Sequence, residues 1–86
     1  MRHYYMHFMD EHGVATDEEG FEAADADAAR RVGMKAAGDI VADLMGDGES
    51  HIAFMLCLDD QNRQRIATLP VTATVAAFLG DCAVAA

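Results

Sequence analysis

The chain has 86 residues, 52% of them hydrophobic and 24% charged. That describes one small globular domain with a thin core, and it leaves no room for a two-domain enzyme or a dinucleotide-binding fold. Fifteen acids against six bases give a net charge of −9, which repels phosphate backbones and argues against direct nucleic-acid binding.

The acidic excess is uneven. Residues 1–50 carry twelve acids and four bases, and residues 51–86 carry three acids and two bases. Solubility alone accounts for such a surface, and an acidic face for a basic protein partner is the sharper alternative. No apolar run approaches the ~20 residues of a membrane span. The N-terminus has His, Tyr and Asp where a signal peptide has its apolar core. Cys57 and Cys82 lack the paired spacing of a zinc site or redox motif. Cys57 alternates with strand hydrophobes and reads as a small buried side chain. A reducing cytoplasm is the expected compartment.

Residues 2–9, rich in aromatics, read as the first strand. Tyr4, Met6 and Phe8 share one face, and His3, Tyr5, His7 and Met9 share the other. Both faces are partly apolar, so the strand is expected to be central or covered on both sides. Asp10-Glu11-His12-Gly13 reads as a turn, and Val14–Thr16 as a short second strand. Asp17-Glu18-Glu19-Gly20 is a second, acidic turn, after which Phe21 anchors the chain.

Asp25 offers an N-cap for a helix from about Ala26 to Met45. Its apolar face is Ala29, Val32, Gly33, Ala36, Ala37, Ile40 and Leu44. Asp27–Arg31 and Lys35–Asp39 pair at i,i+4 spacing on the exposed side. The stripe Ala29, Gly33 and Ala37 permits close approach to a sheet. Gly46-Asp47-Gly48 ends the helix.

His51–Asp59 is the clearest strand, with Ile52, Phe54, Leu56 and Leu58 on one face. Residues 59–63 make a hairpin connection to a returning strand, Arg65–Leu69, which Pro70 stops. Thr72 caps a short final helix, Ala73–Leu79, and residues 80–86 form a frayed tail. The whole is a single α+β domain over residues 1–86. An antiparallel sheet of three to four strands carries the long helix on one face, in the order β-β-α-β-β with a short C-terminal helix.

His3-Tyr4-Tyr5-Met6-His7-Phe8-Met9-Asp10 resembles the opening strand of a small uncharacterised bacterial domain family, frequent in rhizobia and other alphaproteobacteria. The acidic turn Asp17–Glu22, the helix start Asp25–Arg30 and the hairpin ending Thr68-Leu69-Pro70 match its further features in order. The family pattern has a glycine in the last hairpin turn, where Asn62 stands here as a left-handed substitute. The resemblance, over residues 2 to about 75, implies the fold and a bacterial origin. It carries over no catalytic residue. A looser fold-level likeness links the chain to HicB-type antitoxins, which pair a strand hairpin with an acidic turn and an Ala-rich helix.

Candidates for chemistry are few. His3 and His7 share a strand face but stand about 13 Å apart, too far for one metal ion. His12, Asp10 and Glu11 cluster in a turn near His7, yet a metal needs a converging, supported shell. Ser50, the single serine, is merely adjacent to His51 in sequence. Asp17, Glu18, Glu19 and Glu22 do not have the spacing of a calcium loop. Tyr4 and Tyr5 could stack bases, but no basic groove accompanies them.

No catalytic, cofactor-binding or metal residue is therefore assigned, and no cofactor is expected. The expected role is a non-enzymatic interaction module that self-associates as a homodimer through the uncovered sheet face or an edge strand. It makes no direct contact with nucleic acid or membrane. The alternatives are a HicB-like regulator binding a basic partner, or a small ligand or metal binder using His3, Tyr5 and His7.

Overall fold

The computed structural model describes residues 1–76. Five strands and one helix follow in the order β1 (Arg2–Asp10), β2 (Gly13–Ala15), β3 (Phe21–Ala23), α1 (Ala26–Gly46), β4 (His51–Asp59) and β5 (Arg65–Thr74). The sheet is antiparallel, ordered β2-β1-β4-β5, with β3 also paired to β1. The α+β architecture is the expected one, with one more strand. Phe21 does more than anchor the chain, because residues 21–23 pair with Tyr4, His3 and Arg2.

Strands β2 and β3 lie along the same edge of β1. Residues 16–20 bulge out between them, which leaves the Met6 N–H without a strand partner. Asp17 supplies it, with Oδ2 accepting from that N–H at 3.0 Å.

Helix α1 begins where the sequence places it. Asp25 is extended (φ −158°), and its Oδ1 accepts from the Ala28 N–H at 2.8 Å. Asp25→Ala should cost about 1 kcal/mol, the usual value of such a cap, measured by urea unfolding. At the other end Gly48 takes φ 95°. There the Glu49 N–H donates to the Leu44 carbonyl and the Gly48 N–H to that of Met45, a Schellman closure.

Ala29, Gly33 and Ala37 are the buried helix residues. These short side chains let α1 lie close on the sheet. A Cβ at Gly33 would stand 3.2 Å from the Met6 Cε. Two apolar clusters form beneath the helix. Tyr4, Ala23, Ala29 and Leu58 make one, Ala37, Ile52, Phe54 and Leu56 make the other, and Met6 touches both. Phe8 stacks on Phe54 with ring centroids 5.1 Å apart. Val32, assigned to the apolar face, is 43% exposed because the buried stripe is narrower than that face. Asp27 pairs with Arg30 at 3.0 Å, not with Arg31, while Lys35–Asp39 forms as expected.

Two further expectations fail at the C-terminal end. Pro70 does not stop the returning strand. It sits opposite Met55, and pairing continues through Thr74 opposite His51. Proline lacks an N–H, so it is tolerated where that group would face the open edge. Pro70 thereby removes a donor from the exposed edge of β5, which blunts pairing with another strand. Thr72 consequently caps no helix, and Ala73 and Thr74 belong to β5. The remainder of the expected short helix, residues 77–79, the tail at 80–86 and Cys82 lie outside the described residues.

The left-handed residue of the β4–β5 turn is Arg63 (φ 63°), not Asn62. The Arg63 N–H donates to the Asp60 carbonyl, and the Asp60 N–H donates to that of Gln64. A three-residue loop closed this way needs its third residue left-handed. The Arg63 guanidinium lies 3.7 Å from the Tyr5 ring centroid, a contact that offsets the backbone strain.

Candidate functional site

The helix-free face of the sheet carries the titratable groups. Alternation along β1 puts His3, Tyr5 and His7 there. Register places Cys57 beside His7 and Asp59 beside Tyr5 on β4, and the hairpin sets Arg65 opposite Asp59. The bulge at residues 16–20 reaches the same place from the other edge.

These elements close a buried network around His7, which is 7% exposed. The Asp17 backbone N–H donates to His7 Nδ1 at 2.9 Å. Nδ1 is therefore the acceptor of the ring, and Nε2–H donates to Asp59 Oδ2 at 3.0 Å. Arg65 Nε–H donates to the other Asp59 oxygen at 2.6 Å. Asp17 closes the bulge on itself, since its Oδ1 accepts from the Gly20 N–H at 2.8 Å. Among the described residues no buried side-chain nitrogen or oxygen lacks a partner.

Both carboxyls are more acidic than usual. Burial pushes the Asp17 carboxyl up, but the N–H groups of Met6, Gly20 and Glu19 outweigh it and hold the pKa below 3.8. Burial likewise pushes Asp59 up, and hydrogen bonds from Arg65 and His7 bring it below 3.8. The same contact raises the Arg65 guanidinium. A lowered carboxyl pKa stabilises the fold above the unfolded value, and this is lost as pH falls through the folded value. Unfolding free energy should hold steady at mildly acidic pH and fall below about pH 4. Urea titrations across that range check this, and Asp17→Asn should flatten the acid limb.

The candidate ligand residues part company. His7 has both ring nitrogens engaged inside the network. Half-buried His3 donates Nε2–H to the Glu19 carbonyl at 2.8 Å and meets Tyr5 edge-on, centroids 5.0 Å apart. His12 and Glu11 form an exposed pair 3.4 Å apart in the β1–β2 turn, and Asp10 Oδ1 accepts the His12 backbone N–H. Among the described residues no three His, Cys, Asp or Glu side chains converge to hold a metal ion. Ser50 and His51 stand at the start of β4, and His51 Nδ1 lies 3.3 Å from the Thr74 hydroxyl.

Sequence reasoning missed Asp17 and Asp59 as partners of His7, because both read as turn residues, and Arg65 as the partner of Asp59, because it reads only as the start of the returning strand. The available signal was parity: Asp59 follows Cys57 by two and so shares its face. Cys57, read as a small buried side chain, is 1% exposed.

Among the described residues no helix is long and apolar enough to cross a membrane. No curated protein and no solved structure matches the chain. Residues 3–72 match one family, Domain of unknown function (DUF6894). The match spans all five strands and the helix apart from Arg2 and the last two residues of β5. The chain therefore belongs to the DUF6894 family.

Proposed function

We propose that this chain is a non-enzymatic interaction module of bacterial origin that self-associates as a homodimer. The observation that carries the reading is apolar surface left open by a two-layer fold. Met34 is 61% exposed and Met45 36%, both on α1. Exposed apolar groups that form one patch mark association surfaces more often than single scattered residues do. The network around His7 supports the reading from the other side. Its groups satisfy one another, and its central imidazole is buried, so a ligand meets no free nitrogen there. A reducing cytoplasm suits the buried Cys57, which is a free thiol among the described residues.

Native mass spectrometry of the untagged protein, purified from its own host, tests this. A species at twice the 9.2 kDa chain mass is the expected result. A monomer at micromolar concentration overturns self-association. A second, basic polypeptide at fixed stoichiometry supports the HicB-like reading instead, drawn by the net charge of −9. An added metal or small-molecule mass supports the ligand binder.

A further inference from the structure

Among the described residues one flank of α1 is largely uncovered, and of its stripe Val41 packs against the core beneath the helix. Met34, Gly38, Val41 and Met45 recur at 4-3-4 spacing, which aligns them in one stripe beside the buried face. Met34, Gly38 and Met45 are exposed, and Val41 is half-buried. The stripe borders a shallow trough of about 520 Å³ between α1 and β5, with Leu69 and Val71 across from it.

Gly38 is the informative residue. Glycine weakens a helix interior relative to alanine. Gly33 has an internal reason, the nearby Met6, whereas a Cβ at Gly38 would meet nothing within 4 Å among the described residues. The open space at Gly38 gives a second backbone room for close approach.

Charge selects the second backbone. Arg31 lies beside the stripe and has no ion-pair partner among the described residues, since Asp27 is taken by Arg30. Asp47 and Glu49, past the far end of the stripe, are likewise outside the ion pairs among those residues. Arg31 precedes Gly38 by seven residues and Met45 follows it by seven. A two-fold axis at Gly38 with antiparallel helices therefore sets Arg31 opposite Met45 of the second copy, about one turn from its Asp47 and Glu49.

Resting on the self-association proposed above, we infer that the dimer forms through α1 against α1 of a second copy, antiparallel and crossing at Gly38. The stripe packs on its own copy, and Arg31 meets the acidic end of the opposite helix.

Sedimentation velocity on the full chain tests the surface, with circular dichroism as the check on folding. Gly38→Arg and Met34→Lys point into solvent in the protomer and should leave its fold intact. Each should weaken dimerisation by on the order of tenfold or more, as a change at the centre of an interface does. Arg31→Glu should weaken the dimer, and adding Glu49→Arg should restore it. Orientation is read by oxidation in a Cys82→Ser background. Gly38→Cys should cross-link, because the two copies meet there. Met34→Cys should not, because four residues from the axis on each chain separate the pair by about 12 Å.

A dimer that persists in Gly38→Arg overturns this surface but keeps self-association. Cross-linking of Met34→Cys overturns the antiparallel arrangement. A wild-type chain that stays monomeric overturns both readings.

Discussion

Asp59→Ala should lower the unfolding free energy by about 3 kcal/mol, a large fraction of what a domain of this size possesses. The Asp59 carboxylate takes a hydrogen bond from His7 at 3.0 Å and from Arg65 at 2.6 Å, and only 10% of its side chain is exposed. Truncation strands the His7 Nε2–H in a buried site, where an unmatched donor costs roughly 1–3 kcal/mol. The Arg65 side chain, 47% exposed, can turn to water, which holds the total near the lower end for a broken buried pair. The melting temperature should fall by roughly 15 °C. Asp59→Asn keeps an acceptor for His7 and should cost less than half as much. Arg65→Ala should also cost less, since it leaves no buried donor. A loss under about 0.5 kcal/mol for Asp59→Ala, measured by urea unfolding, would mean that the network contributes little beyond packing.

Gly20→Ala should be comparably damaging, by about 3 kcal/mol, through the backbone. Gly20 sits at φ +72°, where a side chain is already strained. A Cβ there would also overlap the Tyr4 carbonyl oxygen and stand 2.5 Å from His3 Nε2. The Tyr4 carbonyl belongs to the β1 backbone and cannot move aside, so the bulge must lift off the sheet. That displaces Asp17, and with it the contacts to Met6, Gly20 and His7. Gly48→Ala is the control. Gly48 has φ +95° but open space around it, so its alanine variant should show only the conformational strain, about 1 kcal/mol. Equal losses at the two positions would mean that the bulge adapts without losing its hold on β1. Proteolysis at residues 16–20 should also quicken in Gly20→Ala.

Much of this architecture was legible because it depends on local pattern. The period-2 alternation of Ile52, Phe54, Leu56 and Leu58 marks β4 to its observed ends. Asp25 and Gly48 bracket α1 because capping is decided within a few residues. Phe21–Ala23 carries no strand signal in the sequence, since three residues have no period and only pairing with β1 makes them a strand. Pro70 misled for a related reason. Its effect depends on whether the missing N–H faces a neighbour or the open edge, and that is a property of the sheet.

The candidate site divides along the same line. The residue pattern alone implies that His3, Tyr5 and His7 share a face, that Cys57 is inside, and that one amphipathic helix covers one side of an antiparallel sheet. Those follow from the 3.6 and 2.0 periods of the side chains. It took the three-dimensional arrangement to close Asp17, Asp59 and Arg65 around His7, to make Arg63 the left-handed residue, and to leave a flank of α1 largely bare among the described residues. Each of these joins residues distant in sequence through strand register, or weighs a local preference against a tertiary contact. Register is set by how two faces fit together, and a linear pattern does not contain it.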